Sequence, residues 1–394
     1  MFPYDHLLDS VFPTVLEHWK WLHAHPELSG QEEHTAAYVA DQLRKLGLEP
    51  TERVGGWGVT AMIQGAHPGK CLALRADMDA LPIQEETGVP FASTVPGVMH
   101  ACGHDAHTAM LLGVAQMLCQ LRDQIHGSVK LVFQPSEEVS DSSGAKRMIA
   151  DGVLENPKVD AIIGQHVNAS RDLGDVSIRT GAISAASDRF FITVHGKSCH
   201  AARPSDGTDA IVLGAQVITA LQSIVSRNVR PLDSSVLTIG KVTAGSRYNV
   251  VADTFEMEGT CRNLNPAVRD FMAQRMEEII RGITQGMGGD YTFRYVRGYS
   301  PTINDPDMTQ LVRDVATEVA TPDMTISTGE LGMGGEDFSF YAEQVPACFF
   351  RVGCHKVGAP KIPQHNAHFL PEEKTLYFGS RIMLASALRY LAQP

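Results

Sequence analysis

The chain has 394 residues, 43% of them hydrophobic and 20% charged, with a formal net charge of −12. That is length and apolar content enough for two domains with substantial cores, and the mixed-sign charge argues against wholesale disorder. The acidic balance, with no block of Lys or Arg, excludes a nucleic-acid partner and an acidic membrane surface, since both need concentrated positive charge.

The N-terminus, Met1 to Lys20, is an interrupted helical pattern with no positive segment leading into an apolar run, so no signal peptide is expected. No stretch approaches the ~18 apolar residues that a bilayer span needs, so no membrane association is expected. Seven scattered cysteines, an odd number, predict free thiols in a cytoplasmic protein rather than a disulfide framework. Ser29-Gly30-Gln31-Glu32 reads as a capping box for a helix carrying Ala36, Val39, Leu43 and Leu46 to a stop at Gly47. Short buried strands are predicted at 71–75, 129–134 and 161–164, with a helix at about 108–121 between the first two. Strands alternating with helices indicate an α/β sheet.

The middle of the chain changes character. Phe190, Ile192 and Val194 alternate with polar residues, predicting a half-buried strand. A helix at 209–224 places Ile211, Val217, Leu221 and Ile224 in register, and a strand follows at 236–239. Phe255, Met257, Gly259 and Cys261 mark another strand. Asn265-Pro266 is an N-cap with Pro at the first helical position, opening a helix through Ile280. Tyr291, Phe293 and Tyr295 give the last strand. The order β-α-β-β-α-β is a ferredoxin-like unit. The expected architecture is α/β in two domains: a catalytic domain of residues 1–182 and 298–394, ending in a helix near 374–391, and an inserted α+β domain of residues 183–297.

Polar clusters follow the predicted strands of the first domain: Asp77-Met78-Asp79, Glu137-Glu138 and Gln165-His166. In open α/β sheets, ligands collect beyond the carboxyl ends of strands. A denser cluster is His100-Ala101-Cys102-Gly103-His104-Asp105-Ala106-His107. It could be a polar loop in which Asp105 caps a helix. A metal site fits better, because thiolate, imidazole and carboxylate suit zinc, manganese, cobalt or nickel. Gly103 lets the Cys-x-His step turn both side chains to one point.

Together with Gln134-Pro-Ser-Glu-Glu138, Gly335-Glu-Asp-Phe338 and His365-Asn366, these motifs resemble the aminoacylase/carboxypeptidase superfamily of metallopeptidases over nearly the whole chain. Within it they look most like the hippurate hydrolase and auxin-conjugate amidohydrolase group. The resemblance implies a dinuclear centre of two divalent metal ions held by Cys102, His104, Glu138, His166 and His365, with Cys102 bridging. It implies Glu137 as general base and acid, and Asp79 as the carboxylate that orients the site. His368, three residues beyond His365, is the rival for the last ligand. It also implies that the inserted domain is a lid that mediates a homodimer or higher homo-oligomer. From that domain, His200 would stabilise the oxyanion and Asn249 would bind substrate. Arg262, at a strand end, would grip a substrate carboxylate or else form a surface ion pair. Gly332-Met-Gly-Gly335 looks like a flexible loop. Two divalent cations with one thiolate and one carboxylate leave a centre of roughly +2, suited to an anionic substrate.

The expected reaction is hydrolysis of a small N-acyl amino acid, hippurate-like, to a carboxylate and a free amino acid. A dipeptidase or an aminobenzoyl-glutamate amidase is the close alternative. A non-catalytic binding protein on the same fold is the remote one, since no site residue is missing.

Overall fold

In the computed structural model, which describes residues Phe2–Gln393, the strands with unbroken apolar runs form the middle of an eight-stranded mixed sheet. Its order is 51–54, 58–64, 126–134, 67–77, 161–172, 347–355, 175–177 and 325–327. The strands His67–Asp77, His126–Gln134, Ala161–Asp172 and Ala347–His355 run parallel to their neighbours in that group. Parallel strands are covered on both faces, which is why Leu72, Leu74, Leu131, Phe133 and Ile163 are all buried and why no polar alternation interrupts them. The helices His104–Gln120 and Glu373–Leu391 lie against the 67–77 strand and against each other, and Asp5–Ala24 packs on the 104–120 helix. Burying each Leu, Phe or Met of this core contributes about 1.5–3 kcal/mol. All seven cysteines are free thiols.

Three local expectations need correcting. The 29–32 segment is no capping box: the helix runs Glu33–Lys45 without a side-chain cap. Ser29 Oγ instead donates to Asp79, and Glu32 accepts from Ser136. The helix expected from residue 108 begins at His104, because Gly103 adopts φ +99° and turns the chain sharply into it. A Cβ there would lie 2.4 Å from Val167 Cγ2, so only glycine fits. His166 sits inside a strand rather than at its end, since Ala161–Asp172 continues in register with the strand Ala347–His355, Arg351 opposite His166.

The chain divides into two compact units. The first comprises Met1–Gly181, Ile303–Glu330 and Asp337–Pro394; the second comprises Ala182–Thr302 and Leu331–Glu336. The second unit has a four-stranded antiparallel sheet in the order 235–244, 254–263, 186–195, 290–299. The helices Ala210–Ser223 and Pro266–Gly286 pack on it, giving the ferredoxin-like connectivity. Asp209 and Asn265 cap them with their side chains. The sheet reaches Tyr299, past residue 297, and the glycine-rich 331–336 segment returns to it through Gly332 N–H to Ile183 O and Ala185 N–H to Gly334 O. The stretch Ala210–Asn228 is long and apolar enough to cross a membrane by composition, contrary to expectation. Its Leu213, Val217, Leu221 and Ile224 are instead buried in this unit's core.

Candidate metal centre

The first unit gathers its chemistry where strands stop and helices start. The 67–77 strand carries Asp77 at its end, with Asp79 two residues on. The first turn of the 104–120 helix holds His104 and His107. The 126–134 strand leads into Ser136, Glu137 and Glu138. Ser136 adopts φ +52° and His365 φ +60°. Each is a left-handed conformation that costs a residue other than glycine about 1–3 kcal/mol, so the surroundings must hold it.

Donor atoms of Cys102, His104 and His166 lie within 4.8 Å of one another. So do those of Cys102, Glu138 and His365, and those of His104, Glu137 and Glu138. The five residues expected to hold metal and the expected general base therefore share one cluster. His368 turns elsewhere: its Nδ1 donates to the Glu86 carbonyl at 2.9 Å and its Nε2 lies 3.3 Å from the Glu86 carboxylate.

Second partners set which ring nitrogen faces inward. His104 Nδ1 donates to the Asp79 carbonyl at 2.9 Å, leaving Nε2 buried with no hydrogen-bond partner. The nearest carboxylate oxygens to Nε2 belong to Asp77 and Glu138, at 3.8 and 4.0 Å. His166 Nδ1 donates to the Val167 carbonyl at 2.7 Å, and its Nε2 lies 3.5 Å from Cys102 Sγ. His365 Nε2 is 3.2 Å from Glu138 Oε1. A ligating imidazole is commonly fixed in this way through its other nitrogen.

The electrostatics call for cations. Burial, with Glu138, Glu137 and Asp77 nearby, holds the Cys102 thiol well above its usual pKa, so it does not ionise unaided. Burial alone would lower the His104 pKa, but the Asp77, Asp79 and Glu138 carboxylates raise it to about 10. A buried thiol, inward imidazole nitrogens and an excess of carboxylates form a donor set that two divalent ions fit, displacing protons as they bind.

Around this cluster lies a frame that sequence reasoning largely missed. Asp79, the expected orienting carboxylate, accepts from the Glu137 and Glu138 amides at 3.0 Å each and from Ser29 Oγ at 2.6 Å. Buried Arg75 donates to Gln134, Asp77 and Asp337 at 2.6–2.9 Å. Asp337 also accepts from Gln134, Ser143 Oγ and the Ala145 amide. His107 Nδ1 donates to Asp77 at 2.6 Å while its Nε2 accepts from the Val167 amide at 2.9 Å. Both nitrogens are committed, so His107 orients Asp77. Gln364 donates to the Cys102 carbonyl at 3.0 Å, with its nitrogen 3.7 Å from Cys102 Sγ. Asp105 pairs with His23 at 2.7 Å.

The other expected site residues lie in the second unit. Cys199–His200 and Val250–Val251 form a two-stranded ladder that pairs His200 with Val250 and brings Asn249 beside Ala201. His200 Nδ1 accepts from the Ala202 amide at 3.0 Å, so the neutral ring carries its proton on Nε2. Asn249 Oδ1 is buried without a hydrogen-bond partner. Arg262, in the 254–263 strand, is partly buried, which lowers its pKa against the pull of Asp188.

A model of peptidase family M20/M25/M40 matches residues 73–389. An N-acyl-L-amino acid amidohydrolase of Geobacillus stearothermophilus is 47% identical over 76% of this chain and 80% of its own. A thermostable carboxypeptidase of Saccharolobus solfataricus is 38% identical over 93% and 92%. Among solved structures, a dinuclear metal-binding peptidase of the M20 family from Bacillus subtilis superposes with a TM-score of 0.85 at 33% identity, covering 97% of this chain and 99% of that one.

Proposed function

The chain belongs to the M20/M25/M40 peptidase family, and from that premise we propose that it hydrolyses the amide bond of N-acyl amino acids with two divalent metal ions. The observation that carries the reading is the single cluster of Cys102, His104, His166, Glu138 and His365 donors, buried at Cys102 and His104 and open at His365, with Glu137 among them. In this assignment those five residues hold the metals. The relatives support the substrate class: an N-acyl amino acid amidohydrolase and a carboxypeptidase both cleave an amide whose nitrogen side ends in a free carboxylate. A hippurate-like acyl group, a cytoplasmic location and a homodimer belong to the same proposal.

When bound, the metal ions would lower the pKa of a water toward ~7 and polarise the scissile carbonyl. Glu137 takes the proton of that water and returns it to the leaving nitrogen. Glu138, its neighbour, is committed to ligation, so adjacency divides the two tasks. Asp79 fixes both by accepting their amides. In this proposal His200 donates from Nε2 to the oxyanion, Asn249 binds substrate and Arg262 grips the substrate carboxylate.

The test is a panel of N-acetyl, N-benzoyl and indole-acetyl amino acids plus dipeptides, run with metal-reconstituted protein. Inactivity on all of them would sink the reading. Glu137→Gln should lower kcat by roughly 10²–10⁴-fold with metal content unchanged; retained turnover would contradict the assigned base.

A further inference from the structure

We propose that Glu32 is the positioning residue for Glu137, a role that rests on the assignment of Glu137 as the base. The local reading of Ser29–Glu32 as a helix cap leaves Glu32 no part in the chemistry. The tertiary structure gives it one.

Three successive amides, of Ser136, Glu137 and Glu138, carry the chain from the end of the 126–134 strand into the metal cluster. All three are spoken for by buried carboxylates. Asp79 takes those of Glu137 and Glu138. Glu32 Oε1 takes that of Ser136 at 2.7 Å and also lies 3.1 Å from Ser136 Oγ. Glu32 is fully buried, and its Oε2 has no hydrogen-bond partner among the described residues. The carboxylate also faces the Gly30 amide and its own, and Oε1 is the oxygen that reaches Ser136, the residue whose φ is +52°.

That position matters because Ser136 is the pivot. A left-handed residue reverses the local direction of the chain, and it decides whether the next two side chains point to the cluster. Serine has no intrinsic preference for that conformation. Without the Glu32 contact, Ser136 can relax toward an ordinary conformation and swing Glu137 away from the reacting water. Glu138 lies 3.2 Å from His365 and in the proposed assignment would be held by metal, whereas the role of Glu137 depends on its exact approach to the water, so a shift of the segment should register first in kcat. Burial and the charge of Asp79 push the Glu32 carboxyl upward, which favours its neutral form. A neutral isostere should then do the same job, since Gln keeps an acceptor oxygen for the Ser136 amide.

The experiment compares wild type, Glu32→Ala and Glu32→Gln, each reconstituted with Mn²⁺. Readouts are kcat and KM on an N-acyl amino acid, Mn²⁺ stoichiometry, and amide hydrogen exchange of the peptide spanning residues 132–140. Expected for Glu32→Ala is a kcat loss of roughly 10–100-fold, the scale of an ångström-level misplacement. KM should stay within about twofold, metal stoichiometry should be unchanged, and exchange at 132–140 should be faster. Glu32→Gln should restore kcat to within about threefold. Wild-type kcat in Glu32→Ala, or a Glu32→Gln variant as impaired as Glu32→Ala, would overturn the proposal. If Glu32→Ala does not fold, Glu32→Gln against Glu32→Asp decides it, because Asp keeps the charge and loses the reach: equal kcat in the two would overturn it. Should wild type prove inactive on every substrate, the functional reading fails on its own. The exchange readout then still judges Glu32, with unchanged protection at 132–140 in Glu32→Ala counting against it.

Discussion

The two units each bury a network of charged groups, and the networks differ in kind. In the second unit Asp188 receives Arg269 through two nitrogens at 2.6 and 2.8 Å, the Tyr295 hydroxyl at 2.8 Å and the Gly298 amide at 3.1 Å. The carboxylate is saturated, and the network is closed. In the first unit Arg75, Asp77, His107 and Asp337 satisfy one another and Asp79 holds the Glu137 and Glu138 amides, yet they enclose His104 Nε2 without a partner and a Cys102 thiol that burial keeps protonated. A closed network fixes a fold, whereas an open one is built around something to be bound. Buried polar groups without partners are costly, and they persist where a ligand completes them.

Removing that ligand is the largest perturbation. Stripping divalent metal with a chelator should abolish hydrolysis, and Mn²⁺ or Zn²⁺ should restore it. Full activity after exhaustive chelation, verified by elemental analysis, would mean that the open network is not a metal site. The matching cut in the closed network is Asp188→Ala, which strands the Arg269 charge. Breaking a buried pair costs about 3–5 kcal/mol, read as a lower midpoint of denaturant unfolding with metal stoichiometry unchanged. A stability within error of wild type would remove the distinction drawn between the networks.

How much of this was legible in the sequence follows the same division. Cys102 and His104 stand out because they cluster locally, beside a glycine that makes the turn, and Glu138 because it pairs with Glu137 just past a strand. The ferredoxin-like unit was legible because alternation along its strands and the Asp209 and Asn265 caps are local signals. The frame was not. Arg75 and Asp337 are 262 positions apart, and Glu32 and Ser136 are 104 apart. Ser29-x-x-Glu32 satisfies the capping pattern on paper, and nothing nearby reveals that both side chains turn to distant partners. The strand through His166 was cut short because Asn168, Ser170, Arg171 and Asp172 are polar, and the strand continues through them in pairing with the 347–355 strand.

A third buried cluster, at the edge of the open network, gives a pH signature. His23 sits between Asp105 at 2.7 Å and Glu85 at 3.1 Å. Burial would lower its pKa, but the hydrogen bonds it donates to Asp105 and Glu85, with their charge, outweigh burial and raise the pKa to about 9. A histidine raised from 6.5 contributes stability that is complete below 6.5 and is lost as pH climbs through 9. The shift corresponds to something on the order of 3 kcal/mol. Unfolding free energy should fall across that window in wild type and stay flatter in His23→Gln. Parallel profiles would show that His23 is not charged in the folded protein.

The smallest effect should come from the more open side of the metal cluster, where His365 is half exposed. His104 is fixed by a buried carbonyl and carboxylate, whereas Cys102 is steadied by Gln364, which donates to its carbonyl and approaches its sulfur. An N–H directed at a thiolate favours the ionised form, and one held to the neighbouring carbonyl keeps the loop in register. Gln364→Ala removes both while leaving every proposed ligand in place. Loss of such an orienting partner typically weakens metal affinity about 10-fold to 100-fold, and partial exposure here points to the lower figure. Competitive titration of the metal-free protein against a chelator indicator measures it directly. The same titration on a Gln364→Glu variant tests the donor itself, since a carboxylate keeps the reach but loses the N–H that serves both the carbonyl and the sulfur. Affinity unchanged in both variants would place the control of Cys102 entirely in the buried carboxylates and leave the exposed side of the site without a role in holding metal.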